Sequence, residues 1–296
     1  MKRILTTCLA CAVIGAGFAW VLTAPADVDP DFAQGHVPDV QAGALVFAAG
    51  GCVSCHAVPQ SAGDQKLALA GGLAFASDFG TFYAPNISPD PDAGIGAWSL
   101  TDFARALTKG VSPQGQHLYP AFPYTAYQHL TPADVSDLFA YIQTLPADAT
   151  PSKPHDVSFP FNIRRALGFW KLLFMKDEYV LSGDQSPDVS RGRYLAEALA
   201  HCGECHTPRN ALGGLDRDNW LSGAPNPSGK GRIPNITTGA LDWSQSDLIA
   251  YFTTGFTPDY DSAGGEMAEV ISNLAQLPDS DRAAIAAYLK AIPARP

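Results

Sequence analysis

Residues 52–56 read Cys-Val-Ser-Cys-His and residues 202–206 read Cys-Gly-Glu-Cys-His. Two thiols three positions apart on one turn can each add to a vinyl group of the same porphyrin. The histidine that follows is then carried beneath the iron as an axial ligand. Cys52, Cys55 and His56 are the candidates for one covalent haem c, and Cys202, Cys205 and His206 for a second. Disulfides or a Cys-x-x-Cys redox pair would use the same thiols, but neither requires the trailing histidine twice.

Working outward, the flanks of the two motifs repeat. Gly43 and Gly192 are 149 residues apart, as are Pro85-Asn86-Ile87 and Pro234-Asn235-Ile236. Trp98-Ser99 and Gly110 recur 145 residues on as Trp243-Ser244 and Gly255, and Tyr141 and Pro146 recur 147 residues on as Tyr288 and Pro293. Each copy reads as helices without convincing strands. One helix leads into the haem motif, and a second opens at Ser99-x-x-Asp102 or Ser244-x-x-Asp247 and stops at Gly110 or Gly255. The last helix runs from Thr131-Pro132 to Leu145 in one copy and from about Ser280 to Ile292 in the other. The expected fold is all-α: two tandem cytochrome c domains, 41–146 and 190–296, joined by a connection over 147–189 and preceded by an apolar export or anchor segment over 1–26.

That first segment carries Lys2 and Arg3, then an apolar run from Ile4 to Thr23 that contains Cys8 and Cys11, then Ala24-Pro25-Ala26. It marks the chain for export, and about 20 apolar residues also suffice to cross a bilayer. The expectation is a periplasmic protein tethered to the inner membrane, with a cleaved soluble form as the alternative. Charged residues make up 16% of the chain and the formal net charge is −10, without basic clusters, which argues against a nucleic-acid partner. No GxGxxG, P-loop or Ser/His/Asp pattern points to another enzyme class.

The strings Tyr-Ala-Pro-Asn-Ile-Ser-Pro-Asp-Pro-Asp-Ala-Gly-Ile-Gly-Ala-Trp-Ser (83–99), His-Leu-Tyr-Pro-Ala-Phe-Pro-Tyr (117–124) and Cys-Gly-Glu-Cys-His-Thr-Pro-Arg-Asn-Ala-Leu-Gly-Gly (202–214) are more specific than the haem motif alone. Through them the chain resembles the cytochrome c subunits of bacterial membrane-bound dehydrogenases, those serving alcohol, gluconate or aldehyde dehydrogenases and molybdenum hydroxylases. The resemblance implies an electron-transfer protein: a dehydrogenase as donor, and a cytochrome, quinone or oxidase as acceptor. Many members of that family carry three haem domains, and this chain has two.

The two copies differ at the sixth iron ligand. Met267 lies twelve residues after Gly255, in the loop expected before the last helix, and is the candidate axial ligand of the second haem. Twelve residues after Gly110 stands Phe122, which cannot ligate iron, where the family usually has Met. His117 is the nearest replacement, with Lys109, Tyr119, Tyr124 and His129 as weaker ones; the plainer reading has Phe122 packed on the distal face. An open first haem leaves a di-haem peroxidase or a small-ligand-binding haem protein as alternatives to pure electron transfer. Asn86, Asn235, Trp98 and Trp243 are expected to shape the haem crevices, and Arg164 and Arg165 are candidates for pairing with haem propionates or for opening the short connecting helix.

Overall fold

The computed structural model describes residues 2–226 and 231–295. The chain is helix-rich and opens with the apolar helix α1 (Lys2–Leu22), exposed along almost its whole length. α2 (Val40–Ala49) starts at Asp39, whose carboxylate accepts the amides of Gln41 and Ala42, and leads into the haem-motif turn α3 (Cys52–His56). After the strands β1 (Ala74–Ser77) and β2 (Gly80–Tyr83) come α4 (Leu100–Lys109), α5 (Tyr124–Tyr127) and α6 (Pro132–Ile142). The connection holds α7 (Leu167–Phe174). The second half repeats the order: α8 (Pro187–Arg193), a π-helical turn (Tyr194–Leu199), α9 (Gly203–His206), β3 (Ala224–Pro225), β4 (Arg232–Ile233), α10 (Gln245–Thr254), α11 (Glu266–Leu274) and α12 (Asp279–Ala291).

The expectation of helices alone is corrected by the two antiparallel hairpins, which pair Phe75 with Phe82 and Ala224 with Ile233. Phe, Thr and Tyr at 81–83 favour a pleated surface over a helix. Each hairpin returns the chain to its Pro-Asn-Ile, since Pro85 follows β2 by two residues and Pro234 follows β4 directly.

The repeated glycines mark helix crossings. A Cβ on Gly43 would run into the Asp137 carbonyl and Tyr141 on α6, and one on Gly192 into the Ala284 carbonyl and Tyr288 on α12. Both Ser-x-x-Asp signals form reciprocal capping boxes, and both helices stop at a glycine in the left-handed region, Gly110 at φ 59° and Gly255 at φ 78°. Beyond them the loops close alike: Leu118 N bonds to Gly110 O at 2.7 Å and Ala263 N to Gly255 O at 2.8 Å.

The π-helical turn has a sequence cause. Cys52 lies nine positions after Gly43, and Cys202 ten positions after Gly192. One extra residue between a fixed helix crossing and a fixed haem motif must be absorbed inside the helix, and a π turn, one residue wider than an α turn, absorbs it. One continuous apolar cluster runs through both halves, from Val46, Phe103, Leu138 and Ile142 to Leu195, Leu248, Ile285 and Leu289.

Candidate functional site

The two motif histidines are held the same way. His56 Nδ1 lies 2.8 Å from the Pro85 carbonyl oxygen, and His206 Nδ1 lies 2.8 Å from that of Pro234. A carbonyl can only accept, so Nδ1 carries the proton and Nε2 keeps its lone pair, the tautomer a metal requires. Burial pulls both imidazoles below the usual histidine range, only partly offset by the carbonyl bond, and so keeps them neutral. The asparagine after each proline braces that carbonyl's loop. Asn86 donates to the Asp148 and Thr150 carbonyls and accepts the Ser88 amide; Asn235 donates to the Arg295 carbonyl and accepts the Thr237 amide.

None of the four motif cysteines is disulfide-bonded. Burial pushes Cys52 and Cys202 up to about 12 and Cys55 to about 11, and it raises Cys205 as well. A redox Cys-x-x-Cys pair works through a depressed pKa, the opposite of the direction burial sets here. A thiol poised in apolar surroundings beside an aimed, neutral imidazole fits covalent haem, with His56 and His206 as the iron ligands.

The two motifs lie against one another. Asn273 of α11 donates to Ser54 Oγ at 2.9 Å, inside the first motif. The Gly50 carbonyl accepts the Tyr127 hydroxyl at 3.2 Å, and His201 Nε2 approaches it at 3.4 Å from just ahead of the second motif. Glu204, between the second pair of cysteines, accepts from Thr125 Oγ1 of α5 at 3.2 Å and pairs with Arg209. Cys55 and Cys205 are near enough that each thiolate would disfavour the other, one reason the Cys55 thiol is raised.

The sixth-ligand candidates are placed unequally. Met267 lies not in a loop, as the sequence led us to expect, but in the first turn of α11, half-buried against the core; the neighbouring Glu266 contributes to raising Cys205. Phe122 packs edge-on to Tyr127, ring centroids 5.7 Å apart, and to Tyr124. His117 is buried and turned elsewhere: its Nε2 is 2.9 Å from the Thr23 carbonyl at the end of α1. Tyr119 packs at a tilt on Phe82, Lys109 ends α4, and His129 stacks on Tyr179. Arg164 and Arg165 also serve this corner. Arg164 donates to the His117 carbonyl and covers the Tyr119 ring, and Arg165 holds the end of α1.

Several residues escaped the sequence reading. The prolines of the Pro-Asn-Ile repeats act through backbone oxygen, which residue type does not announce. Glu197 is buried, accepting the Tyr288 hydroxyl at 2.8 Å and the amides of Val180 and Leu181, and so pins the connection to the second haem helix. A carboxylate in the otherwise apolar Tyr194–Leu199 stretch was its signal.

Known proteins resemble the chain along most of its length. The cytochrome c family model matches residues 40–146. A di-haem cytochrome c-type protein of Cereibacter sphaeroides is 54% identical over 295 residues, 99% of each chain. The fructose dehydrogenase cytochrome subunit of Gluconobacter japonicus is 42% identical over 90% of this chain and 55% of its own length. The gluconate 2-dehydrogenase cytochrome c subunit of Pantoea cypripedii is 37% identical over 86% of this chain and 60% of its own.

Proposed function

The chain belongs to the di-haem c-type cytochromes, and on that premise we propose that it is built as two tandem cytochrome c domains, 41–146 and 190–296, carrying electrons away from a dehydrogenase. Cys52, Cys55 and His56 hold one haem c; Cys202, Cys205 and His206 hold the other, with Met267 as its sixth ligand. Each haem supplies an iron that changes oxidation state by one electron. The protein's part is to fix the histidine tautomer through Pro85 and Pro234, exclude water, and keep the two attachment turns in contact. The dehydrogenase partner follows from relatives that are cytochrome subunits of such enzymes. A cytochrome, quinone or oxidase receives the electrons, on the periplasmic side, with α1 as a membrane tether.

The observation that carries this reading is the duplicated histidine-to-proline bond, made twice at 2.8 Å in turns that touch. Intact mass of the purified protein, with haem staining after denaturing electrophoresis, tests it: two covalent porphyrins are expected, and one or none overturns it. Met267→Ala is expected to lower the midpoint of one haem and leave the other near its original value, because a thioether favours the ferrous state. An unchanged potentiometric titration removes Met267 from the ligand set.

A further inference from the structure

The connection holds a stretch that electron transfer leaves unused. From Val157 to Lys176 the chain has no acidic residue, while Arg164, Arg165 and Lys176 are basic and Lys171 is turned into the protein, in a chain whose formal net charge is −10. One side of α7 within it faces the protein. Trp170 Nε1 donates to the Leu212 carbonyl at 2.8 Å, Phe174 packs on Trp170, and Lys171 Nζ reaches the carbonyls of Lys109 and Gly110. At 3.6 residues per turn, Phe169, Leu172 and Leu173 point the other way. They stand 47%, 54% and 55% exposed, and Phe159, Phe161 and Ile163 just upstream are exposed as well.

The outer side of α7 continues into the end of α1. Gly168 abuts Thr23 so closely that a Cβ would overlap it. Arg165 lies 4.1 Å over the Trp20 ring, donates to Thr23 Oγ1 at 3.1 Å and also reaches the Trp20 carbonyl. α1 is apolar and exposed for 20 residues, long enough for a hydrocarbon core of about 30 Å, and Trp is the side chain that settles at headgroup level. A span that ends on α7 brings the uncovered apolar side of α7 to the bilayer surface. A lipid surface also matches the charge, since a basic and apolar segment suits anionic headgroups over an apolar layer.

We propose that Phe169, Leu172 and Leu173, with Phe159, Phe161 and Ile163, lie in the interface of the membrane that α1 crosses, so that the haem domains sit at one height and orientation instead of swinging on a tether. The proposal rests on α1 being an anchor, and the test separates the two. The full-length holoprotein, with Cys8→Ser and Cys11→Ser, is placed in nanodiscs of phosphatidylcholine and phosphatidylglycerol. Single cysteines are introduced as Val13→Cys, Leu172→Cys, Leu173→Cys and, on the loop after α10, Tyr260→Cys. Each is reacted with a charged and with a neutral thiol reagent, and labelling is read by mass. The charged-to-neutral rate ratio is expected to be at least tenfold lower at 172 and 173 than at 260, and lower still at 13. The ratio discounts burial in protein, which slows both reagents. A low ratio at 13 with ratios at 172 and 173 equal to that at 260 overturns the docking and keeps the anchor. A ratio at 13 equal to that at 260 overturns both.

Discussion

At the residue scale, the first haem's distal side is decided by what Phe122 and His117 touch. Phe122 packs on Tyr127 and Tyr124, and His117 is committed to Thr23, so under the proposed assignment neither would serve as sixth ligand to an iron held by His56. Carbon monoxide is therefore expected to bind the reduced first haem readily and the second haem, for which Met267 is the proposed sixth ligand, poorly. Phe122→Met should suppress that binding, while His117→Ala should leave it unchanged. Difference spectra of the three proteins decide the matter: a wild type that binds no carbon monoxide until His117 is removed makes His117 the ligand. Lys171 offers a second test. Burial pulls its pKa from 10.5 down to about 7, even though its Nζ caps the end of α4 over the Tyr124 ring. Between about pH 7 and 10.5 the unfolded chain holds the proton that the folded one releases. Stability should thus rise with pH there, by up to about 1.4 kcal/mol per pH unit, and be flat and lowest below 7. Denaturant titrations across pH should show this component in the wild type and not in Lys171→Met.

At the element scale, the helix crossings carry the fold. Gly43 on α2 and Gly192 on α8 meet backbone of α6 and α12, which cannot step aside as a side-chain tip can. Gly43→Ala and Gly192→Ala should each cost about 1–3 kcal/mol by overpacking. Thermal unfolding of the holoprotein measures it, and losses below a few tenths would mean the helices pack otherwise. The residues at these crossings were visible as a repeat, a glycine ahead of each haem motif and a tyrosine 98 residues on in one copy and 96 in the other, and the capping serines and αL glycines were legible because local bonds alone define them. The hairpins were not, since each strand is four residues or fewer and gains its meaning from where it returns the chain. Nor was the π turn, although the one-residue difference between copies was there to count. Met267 was placed in a loop because the Gly-rich run before it masks the first turn of α11, whose N-cap Gly265 makes no side-chain cap bond.

At the scale of the whole molecule, what matters for an electron carrier is how the two redox centres feel each other. The attachment turns touch through Gly50, His201, Ser54 and Asn273, contacts 150 or more residues apart in sequence that no local pattern announces. Glu204 places a charge at the junction of the two halves. It sits in the second motif, bonds Thr125 of the first half, and its carboxylate helps raise Tyr124 and Tyr127 on one side and Cys205 on the other. A negative charge favours the ferric over the ferrous state of any iron within its reach. Glu204→Gln removes that charge and leaves Arg209 without its partner, so both midpoints should move up, each by the order of tens of millivolts for a partly screened charge. Glu269→Gln, at an exposed carboxylate paired with Lys66, serves as the reference and should shift either midpoint less. Spectroelectrochemical titration of the three proteins at two ionic strengths reads the result. If only the second haem responds to Glu204→Gln, the junction does not join the two centres electrostatically, and contact between the turns serves packing alone.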